Sequence, residues 1–319
     1  MGPIKASVGD FLLTFLWVFC ASTFGVLTSE IATVLGVQSL VWPSLLITTF
    51  IVFVFVFVFS LIGDFLGGAS FNPTGTAAFY AAGVGGDSLL SMALRFPAQA
   101  AGAVGGAMAI LEVIPPKYKH MLGGPSLKVD LHTGAIAEGV LTFLITFAVL
   151  VIILKGPRNG IVKIWLLAVA TVVLVVSGST YTGPSMNPAN GFHGKNDELE
   201  IDGGHYQYYV VMAAVVARGI MMFLAVLVCL AHLYHKEAKD EDEISHMRYS
   251  QTSCAHVVAH CWMAKSDAFG WAYINKQHDT WEQFYVYWIC PFIGAIVAAW
   301  VFRFVFPPPP PPSKKQKKN

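Results

Sequence analysis

Gly68-Ala69-Ser70-Phe71-Asn72-Pro73-Thr74 recurs as Gly183-Pro184-Ser185-Met186-Asn187-Pro188-Ala189, and the reading of this pair decides the fold. Asn-Pro is a turn signal followed by a good helix start, because proline at the first helical position has its φ already set and no N–H to leave unpaired. One such dipeptide is only a turn. Here there are two, each preceded by Gly-x-Ser-x. The run after each, Gly75 to Ala82 or Ala189 onward, is too short to cross a bilayer, which takes about 20 apolar residues.

The flanking sequence repeats as well. Asp10-Phe-Leu-Leu-Thr14-Phe-Leu and Glu138-Gly-Val-Leu-Thr142-Phe-Leu both place an acid four residues before Thr-Phe-Leu. An acid and a threonine at that spacing share one helix face. Long charge-free runs mark six candidate spans, about 8–27, 39–62, 92–113, 133–154, 162–180 and 282–305. The first is read as an uncleaved helix, since its apolar run exceeds a signal peptide's. The chain is 55% hydrophobic and 12% charged, about half the charge of a soluble domain, so it cannot coat itself with a polar surface. Each half then has three spans, with an Asn-Pro loop after the second. Three is odd, so the second half enters from the opposite side. The fold class expected is an all-α membrane protein: six transmembrane helices in an inverted repeat, plus two re-entrant half-helices.

Such a repeat places functional sites near the midplane, at the repeat interface. Two half-helices dipping from opposite faces would meet there by their N-termini, each carrying roughly +0.5 charge. Together they oppose cations, protons included. The Asn72 and Asn187 amides would donate to a passing oxygen and interrupt a proton-conducting file of water. Asp10 and Glu138 read as scaffold acids bonded to loop backbone rather than as proton relays. Small-residue runs such as Gly102-Ala-Val-Gly-Gly-Ala107 permit close helix packing. Five cysteines give no even framework, and no disulfide is inferred. No nucleophile–base pair, phosphate loop or nucleic-acid patch is visible, so an enzyme, a cofactor and a nucleic-acid partner are not expected.

Two Asn-Pro-Ala-type boxes in such a repeat resemble the aquaporin (major intrinsic protein) superfamily. Asn72-Pro73-Thr74 in place of Asn-Pro-Ala, Ser185-Met186-Asn187-Pro188-Ala189-Asn190 and Trp281-Glu-Gln-Phe-Tyr-Val-Tyr-Trp-Ile-Cys-Pro291 resemble the plant small basic intrinsic proteins, class one. The likeness covers residues 1–190 and 268–319. It implies the aquaporin fold, a homotetramer in a lipid bilayer with one pore per subunit, passage of water or a small neutral solute, and the endoplasmic reticulum membrane. In the superfamily an arginine after the second box lines the selectivity filter, whereas here the position is Asn190. By spacing, the other filter positions map to Pro184 and Val175, and less surely to Val52 or Thr49. Losing the arginine removes a cation barrier and a strong donor, which leaves hydrogen peroxide or another small neutral solute open beside water.

The parts are then a first repeat (1–113), a second repeat (132–190 with 268–306), an atypical insert (191–267) and a tail (307–319). The tail's six prolines, Pro307 to Pro312, form a stiff spacer. Its lysines suit a cytoplasmic face, which puts both termini in the cytoplasm of a multi-pass protein. A polybasic tail can also simply touch anionic lipid. Lys315 and Lys317 resemble a di-lysine retrieval signal.

The insert has a different composition. It holds seven of the ten histidines, with six Lys/Arg against ten Asp/Glu, whereas the remainder has 14 basic and nine acidic residues. In the resembled family the second box runs straight into a sequence like Ala268-Phe-Gly-Trp-Ala-Tyr273. The 77 residues therefore read as a retained intron or misassigned exon. Within them 206–234 could span despite Arg218, at a cost of about 2.5–3.5 kcal/mol, and the final span would then start on the wrong side. His256 and His260 are spaced for a metal on a helix, but with no fold around them no metal site is assigned. Two alternatives to a passive channel stand: a non-conducting product of an altered transcript, and an inverted-repeat secondary transporter.

Overall fold

The computed structural model describes residues 2–182 and 265–307. Six helical segments are long and apolar enough to cross a membrane. The first, Pro3–Val34, is two helices, α1 (Pro3–Ala21) and α2 (Phe24–Val34). The others are α3 (Val41–Phe65), α5 (Leu89–Val113), α6 (Leu131–Leu154), α7 (Gly160–Gly178) and α9 (Trp281–Val305). Two short helices lie between them, α4 (Pro73–Ala81) and α8 (Lys265–Ile274). Among the described residues there is no strand.

Most span ends fall within three residues of the sequence expectation. The first is the exception: 8–27 was expected and Pro3–Val34 is found. Ser22 and Thr23 turn their hydroxyls back onto the Val18 and Cys20 carbonyls, at 2.7 Å each. Such back-bonding loosens a helix without ending it, and the apolar sequence carries on into α2. In α9 the turn Tyr285–Ile289 is π-helical. Pro291 follows two residues later, has no N–H for the Tyr287 carbonyl, and so favours a shifted ladder there.

The repeat is visible in the packing. α1 lies on α5, and α6 lies on α9. Gly102 sits where a Cβ would collide with the Phe11 carbonyl, and Gly294 where one would collide with the Gly139 carbonyl. Phe11 and Gly139 are 128 residues apart, as are Asp10 and Glu138. Gly102 and Gly294 are 192 apart, as are the starts of α5 and α9 at Leu89 and Trp281. The same offset of 192 relates Pro73, the first residue of α4, to Lys265, the first described residue of α8. α8 packs on α5, with Gly270 against the Ala103 backbone, as α4 packs on α9. The six spans thus close into an inverted repeat with α8 as its second half-helix.

The glycine contacts are testable. Gly102→Val is expected to lower stability by about 1–3 kcal/mol, since two backbones would have to separate. Gly25→Val, where a Cβ meets nothing within 4 Å, should cost much less. Thermal unfolding of the detergent-solubilised protein compares them.

The sequence reading placed the insert at 191–267; of these residues the structure describes 265–267, which lie in α8. The stretch 206–234 and the paired histidines lie outside the described residues, as does the lysine tail.

Candidate functional site

α4 begins because Asn72 caps it. Asn72 is in an extended conformation (φ −133°, ψ 114°), and Pro73 occupies the first helical position. The Asn72 Oδ1 accepts from the Thr74 N–H at 3.1 Å and from the Thr74 hydroxyl at 2.9 Å. A backbone N–H can only donate, so the side-chain atom facing it is the oxygen, and that fixes the amide's orientation. Thr76 and Ser70 complete the turn: their hydroxyls lie 3.0 Å apart, and the Thr76 hydroxyl also donates to the Asn72 carbonyl at 3.3 Å. Ser70, Asn72, Thr74 and Thr76 are at most 2% exposed, and Pro73 is buried.

The loop leading into this cap hangs from a buried charge cluster. Asp10 Oδ1 accepts from the Ser70 N–H at 2.7 Å. Arg95 grips the same carboxylate with two nitrogens, Nε at 2.7 Å and NH2 at 2.9 Å. Its NH1 reaches Asp87 at 2.7 Å. Gln99 Nε2 donates to Asp10 at 2.7 Å and to the Ser70 carbonyl at 3.3 Å. Asp10 is fully buried and Arg95 is 4% exposed. A charge at that depth is tolerated only when paired and hydrogen-bonded, and here every oxygen of Asp10 has at least two donors.

The second half holds its acid by other groups. Glu138, 1% exposed, accepts from the Thr182 hydroxyl at 2.6 Å. Tyr287 stands at the register of Arg95 and is likewise buried. Above this end, Ser126 and Lys128 pair their backbones with Thr182 and Tyr181, and Gly124 packs on Trp271 of α8.

Beside the first cap is a cavity. Asn72, Thr74, Gly75, Ala78 and Phe79 line one side, and Ile145, Thr146 and Val149 of α6 the other. Its walls are apolar apart from one amide and two hydroxyls. α4 also touches α8.

Of the residues expected from sequence, Asn72, Pro73 and Thr74 come together at this cap. Asp10 lies behind the first loop, on the Ser70 N–H, and Glu138 is bonded to Thr182. Val52 and Thr49 sit buried on α3, and Val175 on α7, two helices that pack together. Pro184, Asn187, Pro188, Ala189 and Asn190 lie outside the described residues. Arg95, Gln99 and Asp87 were not singled out from sequence. A cation inside an apolar stretch is the signal that could have found Arg95, because it requires a buried acid as partner. Among the described residues no group of His, Cys, Asp and Glu is arranged to hold a metal.

The geometry can be set beside known proteins. The model of a family described as Major intrinsic protein matches residues 1–196. The chain is 48% identical over 310 residues to Aquaporin SIP1-1 of Oryza sativa subsp. japonica, covering 96% of this chain and 95% of that protein. It is 48% identical over 303 residues to Aquaporin SIP1-2 of Zea mays, covering 95% and 93%. To Aquaporin SIP1-1 of Arabidopsis thaliana it is 45% identical over 318 residues, covering 100% and 99%.

Proposed function

The chain belongs to the major intrinsic protein family, within it to the class-one small basic intrinsic proteins, and from that premise we propose a passive, proton-excluding pore for water and small neutral solutes. Membership makes it a membrane channel and not an enzyme. The finer reading rests on one observation: the Asn72 amide, held in a single orientation at the N-terminus of α4, lines the cavity between α4 and α6. The half-helix dipole and the amide donors together favour an oxygen and oppose a cation.

A coupled transporter is the weaker reading. It needs ion ligands at the midplane, and Asp10 is consumed by Arg95, Gln99 and the Ser70 backbone. The pore motif of the second half would comprise Asn187, Pro188 and Ala189, and the filter Val175, Pro184, Asn190 and Val52. Assembly as a homotetramer and residence in the endoplasmic reticulum, with both termini cytoplasmic, are parts of the same proposal. They are supported by the resemblance and by the lysine tail.

Asn72→Asp tests the pore. An aspartate caps a helix as well as asparagine does and can accept both Thr74 bonds, so the fold should survive. It removes the amide donors and puts a carboxylate on the lumen. Osmotic water permeability of reconstituted vesicles is expected to fall by roughly tenfold or more, the scale set by losing a charge-matched donor in a narrow site. Unchanged water flux in folded Asn72→Asp protein would overturn this reading.

A further inference from the structure

Thr74 stands where the family's usual box has alanine, and its hydroxyl does two things that a methyl cannot. It donates to Asn72 Oδ1 at 2.9 Å, alongside the Thr74 N–H at 3.1 Å. The oxygen is therefore held twice, and turning the amide over would break both bonds. Having spent its proton there, the hydroxyl keeps its acceptor lone pairs, and Thr74 lines the cavity beside the amide. A box with alanine offers a solute donors only.

We propose that Thr74 is a specificity-determining residue, turning the first constriction into a donor–acceptor pair that favours hydrogen peroxide relative to water. The inference rests on the pore reading given above. Water in single file can accept from Asn72 while directing both hydrogens along the file to its neighbours, so a donor-only wall suits it. Hydrogen peroxide is longer than water and lies with its O–O bond along a narrow file, which leaves both O–H groups nearly perpendicular to that bond and aimed at the wall. There an unpaired O–H costs a hydrogen bond. The Thr74 oxygen gives it an acceptor, next to the amide that holds the other oxygen. Gly75, Ala78, Phe79, Ile145 and Val149 offer no side-chain acceptor, and the second hydroxyl of the wall, Thr146, stands across the cavity on α6.

The test is the ratio of hydrogen peroxide to water permeability in vesicles carrying the full chain, for wild type, Thr74→Ser, Thr74→Val and Thr74→Ala. Valine keeps the volume and loses the hydroxyl, while serine keeps the hydroxyl and loses the methyl. Wild type and Thr74→Ser should share a high ratio. Thr74→Val and Thr74→Ala should fall by about three- to tenfold, the scale of one hydrogen bond. A ratio that follows side-chain volume, with Thr74→Val like wild type, would overturn the proposal, as would four equal ratios. If wild type passes neither solute, this inference falls together with the pore reading. Flux with an unmoved ratio removes this inference alone.

Discussion

Deleting residues 191–267 is expected to raise the water permeability of the chain by about tenfold. The reason is the register of α8. Its first described residue, Lys265, stands at the place of Pro73, by the same 192-residue offset that relates Gly102 to Gly294 and Leu89 to Trp281. In the first half, asparagine caps and proline begins the half-helix. In the second, the same offset matches Ala264 and Lys265 in sequence to Asn72 and Pro73. An alanine side chain carries no amide donor. With 191–267 removed, Asn190 runs directly into Ala268. Counting back through the same register puts Pro188 at the first helical position and Asn187 at the cap. The two halves would then present matching Asn-Pro starts. Stopped-flow shrinkage of reconstituted vesicles, full chain against shortened chain, each beside its Asn72→Asp control, makes the comparison. Equal conduction by both forms would mean that the first turn of α8 does not limit flow. Conduction by neither, in folded protein, would mean that water is the wrong solute. Amplifying the transcript across codons 185–273 is the companion measurement, and a message without the 77 codons is expected alongside.

The spans and their inversion were legible because apolar length and repeated motifs are local properties. Asp10 and Glu138 could be matched by eye, and Asn-Pro announces a helix start in any context. The glycines at 102 and 294 were legible only in kind: a small-residue run signals close packing, but which carbonyl it meets is a tertiary fact. Arg95 was harder. On sequence it is one cation inside the 92–113 stretch, whereas in the fold it bridges two acids 8 and 85 residues distant. Gln99 was hidden for the same reason, since a glutamine in a helix has no signature until its partner is known. Composition sets 191–267 apart from the rest of the chain, yet 265–267 lie in α8, a helix packed on α5, and such a tertiary contact has no local signature.

Replacing Arg95 by leucine should cost about 3–5 kcal/mol of stability, the usual penalty for stripping one partner from a buried ion pair. Asp10 would keep only Gln99 and the Ser70 N–H, and Asp87 would lose its guanidinium contact. The loop ending in Asn72 hangs from this carboxylate, so water permeability should fall with stability. Arg95→Lys should recover only part, because an ammonium cannot grip one carboxylate with two nitrogens while a third reaches Asp87. Asp10→Leu combined with Arg95→Leu should lie above Arg95→Leu alone, since the uncompensated buried charge is gone. The contrasting variant is Tyr287→Phe at the matching register of α9. The Tyr287 hydroxyl is buried without a hydrogen-bond partner among the described residues, so its loss should move the melting point little. Thermal unfolding of detergent-solubilised protein, followed by the monodisperse fraction, ranks all four. A large loss from Tyr287→Phe, or none from Arg95→Leu, would mean that the two halves hold their loops in some other way. The expected ranking would show that the Asp10–Arg95 pair carries more of the stability than the Tyr287 hydroxyl at the matching register of the second half.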